Sequence, residues 1–159
     1  MNINLILVLC LQLLSSVRSY KILFLVPFNA KSHWLFLENF VQVLLDRHHE
    51  VTCVTSISLT GTHPANYTEI LIEPALDFET IVSQEELYKI SGEFSISILL
   101  KMAGIRKFAA EYAFDSLQVQ RFLQRQDLHF DLVINEEFFQ ESFLMFAHKY
   151  KTPLVTISK

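Results

Sequence analysis

Glycine is scarce in this sequence, with three residues among 159. Loops that cradle a phosphate with backbone N–H groups need closely spaced glycines. Neither GxGxxG, nor GxSxG, nor a Walker-type glycine pattern occurs. Dinucleotide-binding proteins, α/β-hydrolases, NTPases and flavodoxin-like domains therefore lack their sequence markers here.

Basic runs and metal-binding clusters are also missing from the sequence. The formal net charge is −4 and Lys/Arg-rich runs do not occur, which argues against a nucleic-acid partner. His63, His129 and His148 stand alone without the spacing of a zinc site, so we expect no metal. Hydrophobic residues make up 51% and charged residues 19%, a balance that predicts a domain with a core rather than a disordered chain.

Residues 1–19 have the pattern of a signal peptide. An apolar run from Leu5 to Leu14 is followed by small and polar residues, which favours cleavage after Ser19. The run is shorter than the roughly 20 apolar residues that span a bilayer, although a short anchor or a buried N-terminal helix is the alternative. We therefore expect residues 20–159 to form one domain in the secretory pathway, in the lumen of the endoplasmic reticulum or secreted.

Two further features bear on that location. Cleavage would remove Cys10 and leave Cys53 without an internal disulfide partner, and the apolar stretch around Cys53 predicts a buried, inert thiol. Asn66-Tyr67-Thr68 is a glycosylation sequon beside Pro64, so Asn66 is the predicted glycosylation site.

The start of the predicted domain is a strand–helix–strand unit. An apolar run at 20–26 predicts a strand buried on both faces, as in a parallel sheet. Ser32 is the expected N-cap of a helix that starts near His33. A stretch at 50–56, rich in Val and Thr, predicts the second strand.

Strands and helices continue to alternate along the rest of the chain. The predicted elements are a strand at 69–73, helices at 87–90, 94–113 and ending near Arg125, a strand at 130–135, a helix at 139–150 and a strand at 154–157. This order predicts an α/β fold, a Rossmann-like doubly wound parallel sheet with helices on both faces. Because the sequence stops directly after a strand, we expect a truncated domain.

Two polar loops are the candidate site, because ligands of open parallel sheets gather beyond the carboxyl ends of the strands. The first strand leads into Ser32 and His33, and the fourth leads into Asn135 and Glu136. The positive end of a helix dipole disfavours imidazolium at His33, which keeps the ring able to accept a proton. Glu136 would fix its tautomer, so the pair suits general-base activation of a hydroxyl; a capping or surface role for His33 is the alternative.

Two segments carry a resemblance to a known family. They are YKILFLVPFNAKSHWLFLENFVQVLLDRHHEVTCVTS, which follows the predicted signal peptide, and FDLVINEEFFQESFLMFAHKYKTPLVTIS. Together they resemble the UDP-glycosyltransferases, particularly the animal and insect members similar to UDP-glucuronosyltransferases. The family usually has a glycine at the turn into the HEVT strand, and we expect His49 to occupy that position here.

The resemblance implies the N-terminal, acceptor-binding half of a GT-B glycosyltransferase, with a role in detoxification. His33 would take the proton of a small lipophilic acceptor as its oxygen attacks the anomeric carbon of a UDP-sugar, with inversion. Glu136 would stand where the family has an acidic partner, often Asp. The UDP-sugar is a co-substrate and no cofactor is implied. The helices between 94 and 125 would line the acceptor pocket.

The resemblance also implies parts that this sequence does not contain. The family's donor-binding half, membrane helix and basic tail are absent before Lys159. We therefore expect the chain to be inactive alone and to bind the UDP-sugar only together with a donor domain. The full-length relative would associate with a membrane. A homo- or hetero-oligomer is a further expected assembly. The alternative is a non-catalytic lumenal or secreted module that binds lipophiles or modulates a full-length relative.

Overall fold

The computed structural model describes residues 18–75, 96–138 and 141–158. The strands are β1 (Lys21–Val26), β2 (Glu50–Thr55), β3 (Tyr67–Leu71), β4 (Leu132–Glu136) and β5 (Leu154–Ile157). The helices are α1 (Lys31–Asp46), α2 (Ile96–Asp115), α3 (Leu117–Gln124) and α4 (Met145–Tyr150), the last preceded by a 3-10 turn (Glu141–Leu144). Within these ranges, no helix combines the length and apolar character needed to cross a membrane.

The five strands form one parallel sheet in the order β3-β2-β1-β4-β5. Phe24 in the central strand pairs with Cys53 of β2 on one side and with Ile134 of β4 on the other. The strand order reverses beside β1, so the carboxyl ends of β1 and β4 flank a topological switch point. The predicted Rossmann-like α/β sheet is confirmed.

Alternate residues of the central strand face opposite layers of helices. Ile22 and Phe24 pack in a cluster with the inner face of α1, whereas Leu23 and Leu25 pack in a second cluster with residues of α3 and α4. Full burial of such side chains contributes about 1.5–3 kcal/mol each. Because both faces of β1 are covered, it reads in sequence as a continuous apolar run.

Helix α1 begins earlier than predicted. Its N-cap is Ala30, which makes no side-chain hydrogen bond, and the N–H groups of His33 and Trp34 donate to the Ala30 carbonyl at 3.0 and 2.9 Å. The predicted N-cap at Ser32 is therefore wrong, because the backbone is already helical at Lys31. Residues at helical spacing bury the inner face of α1: Trp34, Leu37, Val41 and Leu45.

Two helices end with a residue in the left-handed region. After α1, His48 has φ 64°, its N–H donates to Leu45 O at 2.9 Å, and the N–H of His49 donates to Leu44 O at 3.1 Å. This is a Schellman motif, in which glycine usually occupies the left-handed position. The turn that lacks its glycine is thus centred on His48 and not on His49. Lys151, with φ 52°, ends α4 in the same way.

Other predicted boundaries shift by about one or two residues, except at the start of α4. Strand β3 starts at Tyr67 rather than at 69, because Tyr67 already pairs with Val51 of β2. Within the predicted helix at 139–150, residues Glu141–Leu144 form a 3-10 turn, and the α-helix α4 starts only at Met145. Residues 1–17, the predicted helix at 87–90 and Phe139 lie outside the described residues.

Candidate active site

His33 and Glu136 reach the same edge of the sheet from neighbouring strands. β1 ends at Val26, and a short loop leads into α1, where His33 is the third residue. Glu136 is the last residue of β4, which pairs directly with β1. Glu136 alternates in phase with Ile134, which packs in the cluster on the α1 side of the sheet. The alternation of β4 thus directs Glu136 to the side of the sheet on which α1 lies. His33 approaches the same end of the sheet from the first turn of α1.

The structure brings the two side chains into direct contact. Nδ1 of His33 meets Oε1 of Glu136, and the side chains are 18% and 3% exposed, respectively. An ionised carboxylate accepts only, so this contact selects the tautomer that carries its proton on Nδ1. That tautomer leaves the lone pair of Nε2 available, and Nε2 makes no hydrogen bond to the described residues.

Aromatic rings border the imidazole. The Phe138 ring centroid lies 4.4 Å from that of His33, and Phe28 meets Phe138 edge-on at 5.3 Å. Phe28 follows β1 and Phe138 follows β4, so both rings come from the loops that carry the polar pair. They exclude water from one side of His33 and present apolar surface next to it.

The arrangement suits proton abstraction. A half-buried imidazole takes a proton on Nε2, and the buried carboxylate on Nδ1 stabilises the imidazolium that forms. The attraction between the two charges is stronger here than in water, because Glu136 is almost fully removed from solvent. A hydroxyl placed within hydrogen-bond distance of Nε2 would become the nucleophile.

Asn66 lies far from this pair. Its Nδ2 donates to Leu45 O at 3.2 Å and to His49 O at 2.7 Å. These carbonyls belong to the end of α1 and to the residue before β2, which places Asn66 at the amino edge of the sheet, opposite His33. Whether its sequon is used stays a prediction.

Sequence reasoning missed the aromatic border of the site. Several phenylalanines of the described helices, such as Phe122 and Phe146, pack in the core, but Phe28 and Phe138 occupy loops after strands. An aromatic residue within two positions of a strand's carboxyl end, beside a predicted polar site, was the available signal. Among the described residues, groups of three or more His, Cys, Asp or Glu that could hold a metal ion are not found.

Comparisons with known proteins find similar sequences. UDP-glycosyltransferase UGT5 of Dactylopius coccus is 28% identical over 139 residues, covering 87% of this chain. UDP-glycosyltransferase UGT4 of the same insect is 26% identical over 137 residues, covering 86% of this chain. The chain spans 26% of the length of each relative. None of the protein-family models matches.

A solved structure shares the fold. Apo UGT2 of Phytolacca americana superposes with a TM-score of 0.50 at 16% identity, covering 87% of this chain and 29% of that one. At this identity the likeness concerns the fold alone, and it fits a half-domain of a GT-B protein. By sequence over nearly all of its length, this chain is similar to the UDP-glycosyltransferases, and it corresponds to about a quarter of such a protein.

Proposed function

We propose that this chain supplies the acceptor site and the catalytic base of an inverting UDP-glycosyltransferase. The observation that carries the proposal is the contact between Nδ1 of His33 and Glu136 at the carboxyl edge of β1 and β4. The similarity to two insect UDP-glycosyltransferases supports the reaction class. The UDP-sugar would be a co-substrate held mainly by a donor-binding domain, so we expect the chain to be inactive alone.

In the proposed reaction His33 acts on the acceptor hydroxyl. The acceptor oxygen bonds to the anomeric carbon while its proton passes to Nε2 of His33. The bond from that carbon to the UDP oxygen breaks, UDP leaves with the electron pair, and the configuration inverts. Glu136 holds Nδ1 and balances the positive charge that develops on the ring.

Apolar surface near His33 supports a lipophilic acceptor. The rings of Phe28 and Phe138 border the base. An ion pair between Arg106 and Glu141 joins α2 to the segment after β4. That helix carries exposed apolar residues at four- and eight-residue spacing, Ile96, Leu100 and Phe108. We propose that such surface contacts small hydrophobic aglycones, although the sugar and the individual acceptor are open.

The test joins this chain to the donor half of a related UDP-glycosyltransferase. Transfer from UDP-glucose and from UDP-glucuronate is then measured with a panel of phenols. His33→Ala should lower kcat by at least about 100-fold, the size of a missing general base. Glu136→Gln keeps the shape of the side chain but removes its charge, and it should lower kcat by at least about tenfold.

Glu137→Gln is the matched control, because Glu137 is the next residue, is exposed and lies directly after the same strand. It should keep the parent kcat within about twofold, as expected of an exposed residue that does not touch the reacting atoms. Equal activity of the His33→Ala and parent enzymes contradicts the base assignment. A folded chimera without any transfer contradicts the proposal and favours the alternative, a non-catalytic module that binds lipophiles.

We also propose that the chain enters the secretory pathway. The predicted signal peptide at residues 1–19 supports this, and so does the Asn66 sequon. N-terminal sequencing of the secreted or lumenal protein should find Tyr20 as the first residue. Retention of residues 1–19 on the purified protein would contradict the proposed cleavage and favour a short anchor.

A further inference from the structure

The loop between β1 and α1 delivers His33 to the site. It runs from the end of β1 to Lys31, and Ala30 N donates to Phe28 O at 3.0 Å. The helix that follows has no side-chain cap at its N-terminus. A contact that holds the start of this loop therefore contributes to the position of His33.

Ser56 holds that start from the neighbouring strand. Its hydroxyl donates to the carbonyl of Pro27 at 2.5 Å, and Ser56 is 6% exposed. Val26 and Thr55 are register partners, so Pro27 and Ser56 are the first residues beyond the ends of two paired strands. A carbonyl at a buried position needs a donor, and Ser56 provides one from outside the loop.

The segment around Ser56 is itself fixed by side chains. Thr55 and Ile57 exchange two hydrogen bonds, in which Thr55 Oγ1 donates to Ile57 O at 2.8 Å and accepts from Ile57 N at 3.0 Å. Glu69 of β3 accepts from the Ser58 hydroxyl at 2.8 Å and from Leu59 N at 2.9 Å. The residues on both sides of Ser56 are thus fixed by hydrogen bonds of their own, and they hold its hydroxyl against Pro27.

The same segment also binds the helix that carries His33. Thr60 N donates to Oε1 of Glu38, which lies in α1. The residues after β2 therefore contact the chain on both sides of His33, at Pro27 before it and in α1 after it. Tyr67 donates to Oε2 of Glu69 at 2.9 Å, which anchors that carboxylate in turn.

We propose that Ser56 is a positioning residue for His33, because its hydrogen bond to Pro27 sets the loop that places the imidazole against Glu136. The chemical consequence rests on the proposed function, but the positioning itself does not. Ser56 touches neither substrate nor the reacting atoms in this proposal. Its effect reaches them through the angle at which α1 presents His33.

The experiment compares Ser56→Thr with Ser56→Val in the full chain. Threonine and valine have the same shape, and only threonine keeps the hydroxyl, so crowding by the added methyl group is the same in both. The readout is the two-bond proton–nitrogen spectrum of His33 in protein labelled with ¹⁵N-histidine, assigned with His33→Ala. We expect one tautomer, protonated on Nδ1, in the parent and in Ser56→Thr, and a mixture of tautomers in Ser56→Val.

A folded Ser56→Val chain with the same His33 spectrum as Ser56→Thr overturns the proposal. If neither the Ser56→Thr nor the Ser56→Val protein folds, Ser56→Ala is compared with Ser58→Ala. The second variant removes a neighbouring hydroxyl that donates to Glu69 instead of Pro27. A tautomer mixture in Ser56→Ala alone supports the proposal, and identical spectra in the two variants overturn it.

Activity in the joined enzyme separates this inference from the proposed function. We expect Ser56→Val to lower kcat at least about tenfold with KM within about twofold, because misplacement of a catalytic group acts on the chemical step. A changed spectrum with full activity of His33→Ala keeps the positioning and removes the base role. An unchanged spectrum with an inactive His33→Ala keeps the base role and overturns the positioning.

Discussion

Asn66 offers a sharp test, because the nitrogen that would carry the predicted glycan already makes two hydrogen bonds. Its Nδ2 uses both hydrogens, one for Leu45 O and one for His49 O, and so joins the end of α1 to the start of β2. An N-linked glycan is attached to this same nitrogen and replaces one of the hydrogens. A glycosylated Asn66 therefore keeps at most one of the two bonds.

The magnitude follows from the two bonds. Asn66→Asp keeps the shape of the side chain but turns the donor into an acceptor that faces two carbonyls. At about 1 kcal/mol per bond, the free energy of unfolding should fall by about 2 kcal/mol. Thr68→Ala removes the same sequon without touching these bonds, and an exposed position such as Thr68 should change stability by no more than about 0.5 kcal/mol.

Urea unfolding of chains made in a bacterial cytosol, which adds no N-glycans, measures both values as midpoints at equal m. If Asn66→Asp is as stable as Thr68→Ala, the structural role of the amide is refuted. The parent and Thr68→Ala, both made through a eukaryotic secretory pathway, test the effect of the glycan. If the parent carries it, Thr68→Ala should be the more stable protein by about 1 kcal/mol, the single bond that the glycan displaces.

Further predictions concern stability elsewhere in the chain. His48→Gly should raise the free energy of unfolding by about 1 kcal/mol, because φ 64° strains a residue with a side chain but not glycine, and Lys151→Gly should have the same effect. His49→Gly should instead destabilise the protein. Thermal unfolding ranks the three variants, and a destabilised His48→Gly would contradict the turn assignment. Burial raises the pKa of the Cys53 thiol, so the unfolded chain loses this proton first as pH rises. In a Cys10→Ser background, stability should be full below about pH 8.5 and fall by up to about 1.4 kcal/mol per pH unit above it. Cys53→Ala should flatten that slope, and an unchanged slope in urea titrations up to about pH 10 would rule out the thiol as its source.

The parts of this fold that could be predicted are those set by local patterns. β1 is a continuous apolar run and α1 repeats its apolar residues at helical spacing, so each segment specifies its own structure. The proximity of His33 and Glu136 also followed from sequence, because His33 follows one strand, Glu136 ends another, and the carboxyl ends of parallel strands share an edge.

What could not be predicted depends on the backbone conformation at helix ends and on one contact between distant residues. Backbone hydrogen bonds to Ala30 start α1, so the nearby Ser32 was a misleading cap signal. The left-handed turn uses His48, whereas glycine is the residue that usually marks such a position. The bond from Ser56 to Pro27 joins residues 29 positions apart, and nothing in the local composition of either segment announces it.

The alternation of β4 has a consequence for how relatives of this chain can vary in length. Asn135 and Glu136 are neighbours on opposite faces of the sheet, since Val133 and Ile134 before them pack in different clusters. Deleting one residue inside β4 would turn the amide toward α1 and the carboxylate away from it. Inserting two would restore the face but carry the carboxylate about 6–7 Å past His33. Insertions and deletions inside this strand should therefore separate the carboxylate from the imidazole, whereas the exchange of one side chain for another leaves the backbone geometry in place.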